Sequence, residues 1–188
     1  MQDAAFIMWE SRLLFLTKGK KMNAIPVTGY SVAQRVLHWL MALLIFFNLI
    51  FSDGMEHWNR LARRGETITP DDIASANIHA YVGIAILILC LIRLFLRFTQ
   101  GAPLPPESEP PLLKLAAKVT HATLYLLFFA MPLTGIAKYY FGIGPLGGLH
   151  GGILKMLLWV LIGLHVAGAL VHQFYWKTNV LARMTKGA

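Results

Sequence analysis

The chain is poor in cysteine and in charge. A single cysteine, Cys90, among 188 residues excludes a disulfide framework and a cysteine-based metal cluster. Deep in an apolar run, Cys90 reads as a small packing residue. Charged residues make up 14% of the chain and only nine are acidic, against 56% hydrophobic residues, which excludes a soluble domain of ordinary composition. There is no glycine-rich phosphate motif and no serine or cysteine nucleophile constellation. Alternation of apolar and polar residues is missing too, so strands are excluded, and no internal repeat is visible.

What is present is a set of four apolar stretches, each near the roughly 20 residues needed to cross a bilayer. They run near Ala33–Ser52, Ile73–Phe95, Ala117–Phe141 and Ile153–Phe174. The expected fold is all-α: a transmembrane four-helix bundle, antiparallel and up-and-down, in contact with membrane lipid. The net charge of +8 flanks these stretches rather than forming a basic domain, which argues against nucleic acid. Arg12, Lys18, Lys20, Lys21 and Arg35 precede the first stretch. Arg93, Arg97, Lys114 and Lys118 surround the second-to-third connection, and Lys177, Arg183 and Lys186 follow the fourth. On the opposite side Arg60, Arg63, Arg64 and Lys138 are diluted by Asp53, Glu56, Glu66, Asp71 and Asp72. The positive-inside rule then places both termini and the middle loop in the cytoplasm.

Residues 1–21 are apolar in flavour, but Glu10 and Arg12 interrupt them and no small-residue cleavage site follows. They read as an upstream or disordered extension, with Met22 the expected start and residues 22–188 a single membrane-embedded domain. The middle connection Ala102–Pro111 is proline-rich and reads as an extended spacer. Of the two opposite connections, Asp53–Asp72 reads as polar and Phe141–Gly152 as a glycine-rich loop.

Histidines carry the chemistry. Ionisable side chains in membrane spans are expensive and mark functional sites, and among the seven histidines four in or at the ends of the apolar runs form matched levels: His38, His79, His150 and His165. With the N-terminus inside, His38 lies near the inner side, and His79 and His150 lie near the outer side. His165 follows His150 by fifteen residues, about 22 Å along a regular helix and about 60° around it. One helix therefore presents imidazoles at two depths. The natural pairs are His79 with His150 at the outer level and His38 with His165 at the inner level.

Two opposed imidazoles supply both axial positions of an iron porphyrin, whereas zinc needs three or four converging ligands. Covalent attachment would need a Cys-x-x-Cys-His segment, so the expectation is two non-covalent haems b per chain. Small residues beside the ligands, Gly83, Gly163 and Gly168, suit a flat macrocycle. Filled axial sites leave no open position for a substrate, and electron transfer remains. Taken singly, a membrane histidine is more often an interhelical hydrogen-bonding residue; matched pairs reverse that balance. His57 reads as an outer-surface residue and His172 as an interfacial one facing water or lipid headgroups. His121 falls near the inner level, where it or Arg35 could meet a haem propionate or a quinone.

The segments HWL (His38–Leu40), IHAYVGI (Ile78–Ile84), IRLFLRF (Ile92–Phe98), AMPLTGI (Ala130–Ile136), IGLH (Ile162–His165) and FYWKTNVLARM (Phe174–Met184), taken in order, resemble the bacterial cytochrome b561 family. The resemblance covers about Tyr30 to Met184 and implies a dihaem four-helix cytochrome of the bacterial inner membrane with axial ligands at His38, His79, His150 and His165. It also implies a respiratory role, with quinone or quinol as one partner and a periplasmic donor or acceptor as the other. Haem-bearing membrane anchor of a dehydrogenase or hydrogenase is the alternative, and a non-haem structural or transport bundle is a third reading, disfavoured by the lack of acidic residues within the spans. In the family pattern the two histidines of the fourth helix stand about fourteen apart. The fifteen found here places His150 either in an irregular turn ahead of the helix or beside a local bulge.

Overall fold

A computed structural model describes residues 28–187; the extension over residues 1–21 and the expected start at Met22 lie outside them. Among the described residues every regular element is helical. In chain order they are α1 (Val32–Ile50), α2 (Asp53–Arg64), α3 (Pro70–Gln100), α4 (Pro111–Tyr139), α5 (Gly144–Leu149), a π-helical turn (His150–Leu154), α6 (Lys155–Phe174) and α7 (Val180–Thr185). Four helical stretches are long and apolar enough to span a membrane: α1, α3, α4 and the continuous Gly144–Phe174.

The helix starts follow local chemistry. Ser31 Oγ accepts the Gln34 N–H at 3.3 Å while the Gln34 side chain accepts the Ser31 N–H at 3.1 Å, so two otherwise unpaired donors are satisfied together. Thr69 and Asp72 repeat this at α3, with Pro70 in the first helical position, where its missing N–H is harmless. Pro111 likewise opens α4, six residues earlier than the expected Ala117.

Both opposite connections differ from the loops that composition suggests. Asp53–Arg64 is helical because its acidic first turn and basic last turn match the helix dipole and because it rests closely on α3. A Cβ at Gly54 would stand 2.8 Å from the Ser75 Cβ, so glycine permits the approach. Phe141–Gly152 is also mostly helical, with Pro145 in its first turn and the side chain of Lys138 lying over Gly147.

One periodicity organises the interior. Gln34, His38, Met41, Ile45 and Asn48 recur at helical spacing on α1, and His79, Gly83, Ile86, Cys90 and Arg93 do so on α3. His121, Leu124 and Leu127 on α4, and Leu158, Leu161 and His165 on α6, complete the set. Each span gives two residues to a buried apolar cluster: Met41 and Ile45, Ile86 and Cys90, Leu124 and Leu127, Leu158 and Leu161. This cluster forms a plug at mid-depth. His38, His121 and His165 lie on one side of it along the chain of each span, and His79 and His150 lie on the other.

At the end holding the chain's C-terminal segment, the proline-rich connection is pinned. His172 is buried rather than facing lipid: its Nε2 is 3.3 Å from Glu109 Oε1 and its Nδ1 is 2.8 Å from Thr178 Oγ1. The interfacial reading of His172 is thereby corrected, because a carboxylate 63 residues away in sequence folds over the ring. Arg183 donates to the Leu104 carbonyl at 2.7 Å from the same side. Replacing His172 by Ala would leave the buried Glu109 carboxyl without this partner, at a cost of about 1–3 kcal/mol. The expected outcome is a lowered thermal midpoint in detergent with an unchanged haem spectrum; a variant as stable as the parent would contradict this role.

Candidate functional site

His79 and His150 face one another with ring centres 6.1 Å apart, and His38 and His165 also stand 6.1 Å apart. Both pairs bridge seams that the backbone leaves open, since α6 packs closely along α4 but not along α1 or α3. An imidazole nitrogen bonds a metal at about 2 Å and its ring centre lies about 1 Å further back, so rings on opposite sides of one iron have centres roughly 6 Å apart. Among the described residues no three His, Cys, Asp or Glu side chains converge as a discrete metal site. The donor set therefore fits a porphyrin iron, which needs only two axial ligands.

The fifteen-residue spacing is resolved by the π-helical turn that begins at His150 itself. A π turn takes in one residue more than an α turn, so the interval behaves as about fourteen residues and the offset between His150 and His165 falls to about 40°. Both rings then face the same interior. His150 is also held by its other nitrogen. Its Nδ1 lies 2.8 Å from the Met131 carbonyl oxygen, the carbonyl of the peptide that joins Pro132. Donation there fixes the proton on Nδ1 and leaves the Nε2 lone pair free, the arrangement that orients metal-binding histidines. Thr134 Oγ1 stands 3.3 Å from the same nitrogen. A Cβ at Gly135 would come within 3.1 Å of His150 Cε1, so this glycine makes room for the ring.

His79 is less tied. Its carbonyl accepts from Asn48 Nδ2 at 3.1 Å, while its buried Nδ1 has no partner among the described residues. A buried orphan of this kind marks a site that a bound group completes. The cavity between the rings is lined by His79, Gly83, Gly135, His150, Lys155 and Asn48, among others. Gly83 thus lines the cavity beside His79 and His150, and a side chain at Gly163 or Gly168 would meet nothing within 4 Å.

Above this cavity lies α2. Trp58 packs edge-on against Tyr139 with centres 4.7 Å apart, and the Lys138 ammonium sits 5.6 Å from the Trp58 ring centre. Glu56 accepts from Ser52 Oγ at 2.8 Å and pairs with Lys155 Nζ at 3.4 Å. The Ser52 bond first, and Lys155 after it, hold the Glu56 carboxyl below its ordinary range. His57 is exposed, as expected, with Nε2 3.3 Å from Asp72.

At the other level His121 joins the pair: its ring centre is 5.1 Å from that of His165, short of the spacing that brackets an iron. Arg93 was legible from sequence only as a topological charge, yet it reaches into this layer and donates to the Gln34 carbonyl at 3.1 Å. Its place four turns along the His79 stripe, three residues after Cys90, is the signal that points it inward. Arg35 donates instead to the Thr185 carbonyl at 2.8 Å, and Trp39 to Met184 at 3.1 Å, so α7 folds back against α1.

A four-span helical bundle with imidazole pairs at two depths has the form of a membrane-embedded b-type cytochrome. The chain belongs to the prokaryotic cytochrome b561 family, whose model matches residues 29–187. It is 33% identical over 159 residues to a cytochrome b562 of Cereibacter sphaeroides, covering 84% of this chain and 96% of that protein. It is 29% identical over 176 residues to a probable superoxide oxidase, CybB, of Yersinia pestis, covering 82% and 94%. A cytochrome b561 homologue of Escherichia coli is 26% identical over 185 residues, covering 82% and 90%. Members of the family bind b-type haem, two per chain as the norm. The expected membrane haem protein of electron-transfer type is thus established.

Gly135 offers a test of the geometry. Gly135→Val would press a branched side chain onto the His150 ring, and one haem component of the visible spectrum should weaken or shift while the other stays. An unchanged spectrum would contradict the close contact.

Proposed function

We propose that His79 and His150 hold one haem iron and His38 and His165 the other, and that the protein carries electrons across a bacterial inner membrane between them. The observation that carries this reading is the pair of equal 6.1 Å ring separations on opposite sides of the apolar plug. Haem b, when bound, supplies a one-electron iron couple. The chain's own work is to hold each ring in place, to keep water from the mid-depth plug, and to set how far apart the two levels lie.

Both termini face the cytoplasm in this reading, on the distribution of Lys and Arg, so the His38 and His165 level is the inner one. Quinone or quinol is the membrane partner, and a donor or acceptor on the periplasmic face is the other. His121, beside the inner pair and outside the ligand set, is the side chain placed to hydrogen-bond a quinone oxygen there. The anchor-subunit alternative predicts co-purification of a soluble redox subunit.

A second reading draws on the Yersinia relative's name. Lys138 and Lys155 line the cavity at the His79 and His150 end, and their ammonium groups would favour approach of a small anion such as superoxide, which would lose one electron to become oxygen. Haem reduction by a superoxide pulse, absent when superoxide dismutase is added, would support it.

The purified protein should contain close to two haems per chain, extractable by acid acetone, and added quinol should reduce them. One haem per chain, or colour that stays with the polypeptide, would overturn the dihaem assignment. Reduction that no quinol analogue supports would overturn the quinone partner. His121→Ala should keep both haems and slow quinol-driven reduction by about tenfold, an effect equivalent to about 1.4 kcal/mol in the barrier.

A further inference from the structure

Lys155 is the one basic residue at the cavity between His79 and His150 that belongs to the ligand-bearing helix itself. It follows His150 by five residues, which on an α-helix would turn it about 140° away. The π-helical turn over His150–Leu154 spaces backbone partners five apart and so returns Lys155 to the side of the helix that His150 occupies. The bulge that re-aims the ligand also brings an ammonium group to the same cavity.

That charge is met by a carboxylate from a different element. Glu56 of α2 lies 3.4 Å from Lys155 Nζ and is fixed from behind by the Ser52 hydroxyl at 2.8 Å. Ser52 is itself buried and immediately precedes α2. Lys155 and Glu56 line the same cavity as His79 and His150, with Glu56 on its exposed rim and the Lys155 side chain about two-thirds covered, so the charge on the ligand-bearing helix is the less screened of the two. Lys138, the other ammonium in this cavity, is held over Trp58 and contributes a fixed background charge.

We propose that Lys155 and Glu56 tune in opposite directions the reduction potential of the haem held at the His79 and His150 level, Lys155 drawing it up and Glu56 drawing it down, so that their balance leaves it near the value it would have without either charge. The proposal rests on the axial-ligand reading of the two histidines. Its physics is that gaining one electron lowers the net charge of the haem by one, so a nearby cation stabilises the reduced form and a nearby anion opposes it. Because the two charges sit on α6 and on the short helix α2, a movement of α2 would change the balance without touching a ligand. Both residues are positioning residues in this scheme, acting on the iron through space.

The test is spectroelectrochemical titration of the purified protein and of Lys155→Gln, Glu56→Gln, the double variant and Lys155→Arg. Lys155→Gln should weaken reduction of one haem by about tenfold, a fall of about 59 mV for a one-electron couple. Glu56→Gln should raise the same haem by a similar factor, the double variant should return near the parent, and Lys155→Arg should stay there. The other haem should not move, which makes it an internal control for folding. Shifts of the same sign in both single variants, equal shifts in both haems, no shift, or loss of the haem would each overturn the proposal. His79→Ala and His150→Ala in the same series separate it from the ligand reading. If the responding haem survives in those variants the ligand assignment fails, whereas missing charge shifts with the haem lost from the histidine variants leave that assignment standing.

Discussion

An imidazole placed in hydrocarbon must find something to do with two ring nitrogens, and the architecture is organised around that requirement. Within a span each nitrogen needs a hydrogen-bond partner, a metal or a polar cavity. His150 uses Met131 for one nitrogen and turns the other to the interior, while His79 keeps a buried nitrogen without a protein partner among the described residues. The backbone yields to this demand twice. The π-helical turn re-aims His150, and a glycine at 135 clears the space its ring occupies. The pairs in turn span the seams along which α6 does not pack directly.

Between the two histidine levels the side chains change character completely. Eight residues, two from each span, close the middle of the bundle. A plug of this kind keeps the two histidine levels apart, and it gives the bundle its contiguous packed core. Polar tethers concentrate at the ends instead: Glu56 with Lys155 and Tyr139 with Asn77 at one, Glu109 with His172 and Arg93 with Gln34 at the other. The spans' outer faces remain apolar and exposed, as a lipid-facing surface requires.

Much of this was legible in the residues. Long apolar runs marked the spans, and Gly83, four residues after His79, was read onto the same helical face; that the stripe runs on through Ile86 and Cys90 to Arg93 was seen only in the structure. The extra residue between His150 and His165 was readable as a register problem; that it is a π turn starting at His150 needed the backbone. The α2 helix was missed because its residues are mostly polar, so the apolar signal was too weak to outweigh a loop, although its end charges carried the information. The Glu109–His172 pair was not readable at all. Its partners come from a proline-rich connection and a helix end, and nothing local to either sequence says where that connection folds. Which nitrogen binds iron, and which side faces the cytoplasm, lie beyond sequence spacing for the same reason: they depend on the cofactor and on the membrane.

The central claim is that four particular imidazoles act as two cross-bundle pairs, and pairwise substitution tests it most directly. Visible spectra of His38→Ala and His165→Ala should lose one and the same haem component. His79→Ala and His150→Ala should lose the other, because a porphyrin held by one axial ring loses affinity and its six-coordinate spectrum. His121→Ala and His172→Ala should retain both. If His121→Ala abolished a haem that His38→Ala left intact, the pairing across α1 and α6 would be wrong and the inner ligand would belong to α4.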